Sequence, residues 1–271
     1  MHAPRHLILC VVHCVLCICF APLCGRGASP VKMFAGVGSE DITPEWPVRR
    51  AFGNRPPIQQ RYDRVEAKAL ALSDGKQPVV LVTADIGYFS LSLSQEIHKR
   101  VRRLGLEPRQ VVLNASHSHS GPAVSPVLDV LEEDQIDRRY QEHFISRVVR
   151  AIESSLQDLQ PAQLSTAEAE CEVCINKRLE GRMEPNPAGP MDRRGRLLIV
   201  RAAKTEVLRA VLFLYGCHPS DQNDEAFGAD FFGFAREELE RRNPGVARLS
   251  AQGTGGDARV DHRDVSGKKF F

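Results

Sequence analysis

Short apolar runs recur along this chain, and patterns of a different period separate some of them. Residues 65–72 alternate apolar and polar positions, while 78–83, 111–113, 164–175, 197–200 and 207–215 are rich in strand-forming residues. Helical spacing appears between them. In 92–104 the apolar residues are Leu93, Ile97, Val101 and Leu104. In 136–159 they are Tyr140, Phe144, Val148, Ile152, Leu156 and Leu159, with charges elsewhere. Residues 234–242, rich in Glu and Arg, form a third candidate helix. Asp74-Gly75 between two strand-like runs predicts a hairpin turn. Adjacent strands together with intervening helices imply an α/β fold, a mixed sheet flanked by helices.

A chain of 271 residues, 42% hydrophobic and 26% charged, has enough apolar material for one sizeable core. Its formal net charge of +2 gives no electrostatic case for a nucleic-acid partner. The basic stretch 193–196 reads as solvated turn surface. Residues 1–28 have the layout of an export signal: Arg5 and His6, an apolar stretch over 7–23, then Gly25, Gly27 and Ala28. That leaves a folded unit over 31–271. Five of the eight cysteines lie in the leader, and only Cys171, Cys174 and Cys217 follow it. The odd number argues against a disulfide framework, and Cys171-Glu-Val-Cys174 within a strand-like run reads as core packing.

Candidate chemistry collects at the ends of strand-like runs, where α/β proteins tend to place their sites. The segment Asn114-Ala-Ser-His-Ser-His-Ser-Gly-Pro122 follows 111–113, and continued strand geometry would turn His117 and His119 to one side. Asp85 follows 80–84, His218 follows 212–217, and Asp257 follows 249–251 and a glycine-rich loop. Each has a bland alternative: a solvated loop for the pair, a cap or amide acceptor for Asp85, a buried histidine for His218, a turn residue for Asp257. Taken together they suit metal-assisted hydrolysis. Neutral imidazoles are zinc ligands, a further histidine can move a proton, and a basic residue can hold an oxyanion. Asn176-Lys177-Arg178 supplies the basic residue, and the loops 45–63 and 179–196 are candidates to wall a cleft.

In order along the chain, Ala35-Gly-Val-Gly with Asp41-Ile-Thr-Pro44, Leu81-Val-Thr-Ala-Asp85, Ser116-His-Ser-His-Ser-Gly-Pro122, Ile175-Asn-Lys-Arg178, Gly216-Cys-His-Pro219, Gly228-Ala-Asp-Phe-Phe-Gly233 and Gln252-Gly…Gly256-Asp257 resemble the N-terminal domain of neutral/alkaline, non-lysosomal ceramidases. The resemblance covers about residues 34–261. It implies an exported zinc amidase that cleaves the amide of an N-acylated sphingoid base, a lipid substrate met at a membrane surface. By motif position it implies that His117 and His218 hold zinc and that His119 contacts substrate or moves a proton. Lys177 or Arg178 would bind the reacting group, with Arg178 and Asp257 assigned beside His119 as catalytic.

Two departures stand out. The family takes a Glu and a Tyr as further zinc ligands from sequence well beyond the Gly-Asp loop, and here Phe271 follows that loop closely. This implies a short or truncated member. The family also carries a serine soon after the Gly-Asp pair, where this chain has Ala258-Arg-Val260. Competing expectations are a non-catalytic remnant of the fold, and an ester or phosphoester hydrolase at a metal held by Asp85, His117, His218 and Asp257. No feature points to an organic cofactor.

Overall fold

The computed structural model describes residues 32–53, 55–126, 131–220 and 225–261. The expected export signal, 1–28, lies outside them. Eight strands form one mixed sheet: β1 (Met33–Asp41), β2 (Glu66–Ser73), β3 (Pro78–Ala84), β4 (Val111–Ala115), β5 (Gln160–Glu170), β7 (Arg194–Ala202), β8 (Leu208–Tyr215) and β9 (Ala247–Gln252). Their spatial order is β4-β3-β2-β1-β5-β7-β8-β9. β6 (Cys174–Asn176) and β10 (Ala258–Val260) form a separate antiparallel pair. The helices are α1 (Leu91–Val101), α2 (Arg138–Gln157) and α3 (Phe231–Arg242).

Connection chemistry explains the strand directions. β2 and β3 join through Asp74-Gly75 as an antiparallel hairpin, with Gly75 at φ 91°. α1 links β3 to β4 and α3 links β8 to β9, and these two pairs are the parallel ones. The α/β reading of the sequence is therefore correct, and the helical segments are those its periodicity marks. Two strand readings need correction. β1 carries no strand signal strong enough to read, because Gly36 and Gly38 interrupt it. The run 164–175, expected as one strand, breaks after Glu170, and its end belongs to β6 in the other sheet.

Both faces of the large sheet are apolar. On one, Tyr140, Phe144, Val148 and Ile152 of α2 pack on Ala67, Ala69, Ala71, Val80 and Val82. On the same side, Phe231, Phe232, Ala235 and Leu239 of α3 pack near Leu197, Val211, Phe213 and Tyr215. The opposite face buries Ala35, Leu70, Ala162, Val200, Ala210, Leu212, Leu249 and Ala251 against one another. The sheet curls around this second face until its outermost strands meet. Asn114 Nδ2 on β4 donates to the Gln252 carbonyl at 3.1 Å, and the Gln252 amide donates to Asn114 Oδ1 at 2.9 Å. Among the described residues no helix is long and apolar enough to cross a membrane.

The reading of the cysteines as core packing needs correction at two of the three. Cys174 on β6 is bonded to Cys217, 43 residues away and next to His218. Cys171 is a buried thiol outside that bridge. Cys171 and Cys174 read as core packing within one strand-like run, but the chain turns between them and carries Cys174 into a different sheet.

Candidate metal centre

The hydrogen-bonded strand β4 ends at Ala115, so His117 and His119 do not lie on a strand. Ser116 and His117 still donate their amides along the end of β3, to the Ala84 carbonyl at 2.8 Å and the Ile86 carbonyl at 3.0 Å. His117 then takes a left-handed backbone with φ 64°. That conformation is uncommon for a residue with a β-carbon and marks a constrained site. What survives of the expected alternation comes from the serines. Ser116, Ser118 and Ser120 are fully buried, and the Ser118 hydroxyl donates to the Gly228 carbonyl at 2.8 Å. With the serines turned inward, both histidines face outward together.

His218 reaches the same place from the end of β8. The His119 amide donates to the Pro219 carbonyl at 3.0 Å, and the His218 amide to the Ala258 carbonyl at 3.1 Å. The Nε2 atoms of His119 and His218 are 3.0 Å apart, and one potential ligand atom from each of His117, His119 and His218 lies within 4.8 Å of the others. His117 Nδ1 lies 2.9 Å from the Gly87 carbonyl. A carbonyl only accepts, so Nδ1 carries the hydrogen and the Nε2 lone pair remains for a metal.

The surroundings keep all three imidazoles neutral. Burial lowers the pKa of His117, opposed by the Gly87 hydrogen bond and aided by the Lys177 charge. Burial, then the neighbouring His218 and His117, takes His119 to about 3. Burial, then Lys177 and His117, takes His218 to about 4. Three neutral nitrogen donors converging in a half-buried position can hold a divalent metal ion.

The remaining sequence candidates fall into different places. Lys177, at the end of β6, is buried, and its charge is felt by all three histidines. Arg178 is exposed, with Nη1 at 2.7 Å from the Met183 sulfur, and its charge is felt more weakly at His218. Asp257 accepts the Lys177 amide on its backbone carbonyl at 2.6 Å, and its Oδ2 lies 3.4 Å from Asn176 Nδ2. Neither it nor Asp85 belongs to a metal-donor cluster among the described residues.

Asp85 has a structural task instead. It accepts from Arg236 of α3 at 3.0 and 2.6 Å and from the Glu66 amide at 2.8 Å. The four-residue metal site that includes Asp85 is thus not formed, because its carboxylate is committed to a guanidinium.

The sequence gives no individual sign of Phe52 and Gly87. Phe52 stacks on His119, ring centroids 4.2 Å apart and planes 22° apart, and meets His117 edge-on at 5.0 Å. It lies in the long segment 45–63, where length alone marks a possible cleft wall. The other long segment, 179–196, folds against β6: the Asn186 amide donates to the Asn176 carbonyl at 2.8 Å.

Fold and site together define an α/β protein with a three-histidine cluster at the strand ends of a curled mixed sheet. That fold is similar to the fold of solved neutral ceramidase structures. A structure described as a ceramidase complexed with C2 matches 85% of this chain at a TM-score of 0.75 and 19% identity. The neutral ceramidase of Pseudomonas aeruginosa matches 89% at a TM-score of 0.75 and 20% identity. The chain spans 39% and 41% of the length of those two chains. The ceramidase resemblance read from the motifs is therefore correct at the level of the fold. No protein-family model matches the chain, and no curated protein matches it.

Proposed function

We propose that this chain is an exported, zinc-dependent amide hydrolase of the neutral ceramidase type, acting on N-acylsphingosine-like lipids at membrane surfaces. The observation that carries the proposal is the convergence of His117, His119 and His218 on this fold. His117 and His218 hold the metal, which when bound supplies Lewis acidity toward a carbonyl oxygen and water. The Gly87 carbonyl fixes the His117 tautomer that leaves Nε2 available. His119, beside the ligand His218, would take a proton from the attacking water and pass one to the leaving amine, the low basicity that burial gives it being offset by the acidity a bound metal would lend that water. Lys177, whose charge bears on all three histidines, would steady the carbonyl oxygen as negative charge grows on it. Asp257 attracts that ammonium and opposes the burial that lowers its pKa, and Arg178 adds positive charge at the rim.

The test is metal content together with substrate selectivity. Purified protein should take up one zinc per chain and release fatty acid from N-acylsphingosine in preference to simple esters or phosphoesters. His117→Ala and His218→Ala should lose the metal, whereas His119→Ala should keep it and lose turnover. A chain that binds no zinc, and gains no activity when zinc is supplied, would sink the proposal.

A further inference from the structure

The segment before residue 54 is clipped to the histidine loop by ladder-like backbone bonds. The Ala51 amide donates to the Gly121 carbonyl and the Ala123 amide to the Arg49 carbonyl, both at 2.8 Å, with an antiparallel bridge between Arg50 and Pro122. Phe52 follows this clip directly. Its ring lies nearly parallel to the His119 imidazole, 4.2 Å between centroids, while its edge meets His117 at 5.0 Å. Gly87 leaves room for the ring. A β-carbon there would come within 2.7 Å of the Ala51 side chain and 3.0 Å of the Phe52 ring. Three separate features, the clip, the stack and the glycine gap, therefore converge on one ring position.

We propose that Phe52 is the positioning residue of His119. His119 Nε2 meets His218 Nε2 at 3.0 Å, a contact that fixes one point of the ring but not the tilt of its plane. The Phe52 face removes that freedom and holds the imidazole plane across the other two histidines. Proton transfer is sensitive to sub-ångström placement, so this restraint acts on turnover more than on substrate binding. The inference rests on the proton-transfer role given to His119 above.

Histidine-labelled protein examined by NMR tests the placement without requiring turnover. Stacking on an aromatic face shifts the His119 ring protons upfield. Phe52→Leu should abolish the shift and Phe52→Tyr should restore it. Gly87→Ala, which displaces the ring without removing it, should reduce it and serves as the second route if Phe52→Leu does not fold. With zinc-loaded protein and N-acylsphingosine, Phe52→Leu should lower kcat about tenfold or more with KM within about twofold, with zinc content unchanged. Phe52→Tyr should recover kcat. His119 proton shifts that are the same in wild type and Phe52→Leu would overturn the proposal, as would an unchanged kcat. If wild-type protein hydrolyses no N-acylsphingosine, the functional proposal fails, and the ring-proton comparison still decides the role of Phe52.

Discussion

Burial sets the charge state of His119 and His218 before any ion arrives. Metal binding requires deprotonated imidazole, so proton competition begins only near the folded-state pKa. With the ligand His218 at about 4 and the ligand His117 also lowered by burial, zinc affinity should hold through the range where solvated imidazoles become protonated and fall as the pH approaches 4. A solvated histidine site, with pKa near 6.5, would begin to weaken below about pH 7. Titrating zinc against a chromophoric chelator across this range separates the two. The same residues show what a sequence can convey about a site. The His-x-His spacing identifies the pair, and its position after an apolar run identifies the strand end. The left-handed turn at His117 and the stack on Phe52 depend on partners 30 or more positions away, which no local pattern encodes.

Among the elements, β1 and α2 show how closely the backbones approach. A β-carbon on Gly38 would come within 2.0 Å of the Ala151 carbonyl of α2, and one on Gly36 within 2.2 Å of the Ser155 carbonyl. Gly38→Ala should therefore destabilise the fold by about 1–3 kcal/mol through overpacking, read as a lower urea midpoint. These glycines also hide β1 from a reading based on hydrophobic alternation, whereas α2, with its unbroken stripe from Tyr140 to Ile152, is plain. The Cys174–Cys217 bridge joins β6, which leads to Lys177, to the segment carrying His218. Replacing both cysteines with alanine should cost ~2–4 kcal/mol and remove any effect of reductant on the melting temperature. Three cysteines with no secretory spacing pattern could not reveal which two pair, since the choice is made by the break at 171–173.

At the scale of the whole molecule, the centre of the charge arrangement is Arg236. It is buried, carries Asp85 on one side, and lies 3.5 Å from Glu66, so α3 is tied to β2 and to the end of β3. Asp85→Asn removes the neutralising charge and should destabilise the protein by about 3–5 kcal/mol, while leaving zinc content per folded molecule unchanged. Chemical denaturation with metal analysis of the folded fraction checks both parts. The pairing spans 151 positions, which is why Asp85 resembles a site residue in sequence: a strand-end aspartate looks the same whether it faces a metal or an arginine.

A sheet of eight strands would ordinarily leave two outer strands with unsatisfied amides and carbonyls, each a template for a foreign chain. Here those strands face each other, and the Asn114 side chain on β4 takes up the free amide and carbonyl of Gln252 on β9. The curled sheet thereby screens its own borders from recruitment. Asn114 closes one position of the β9 edge to a second chain.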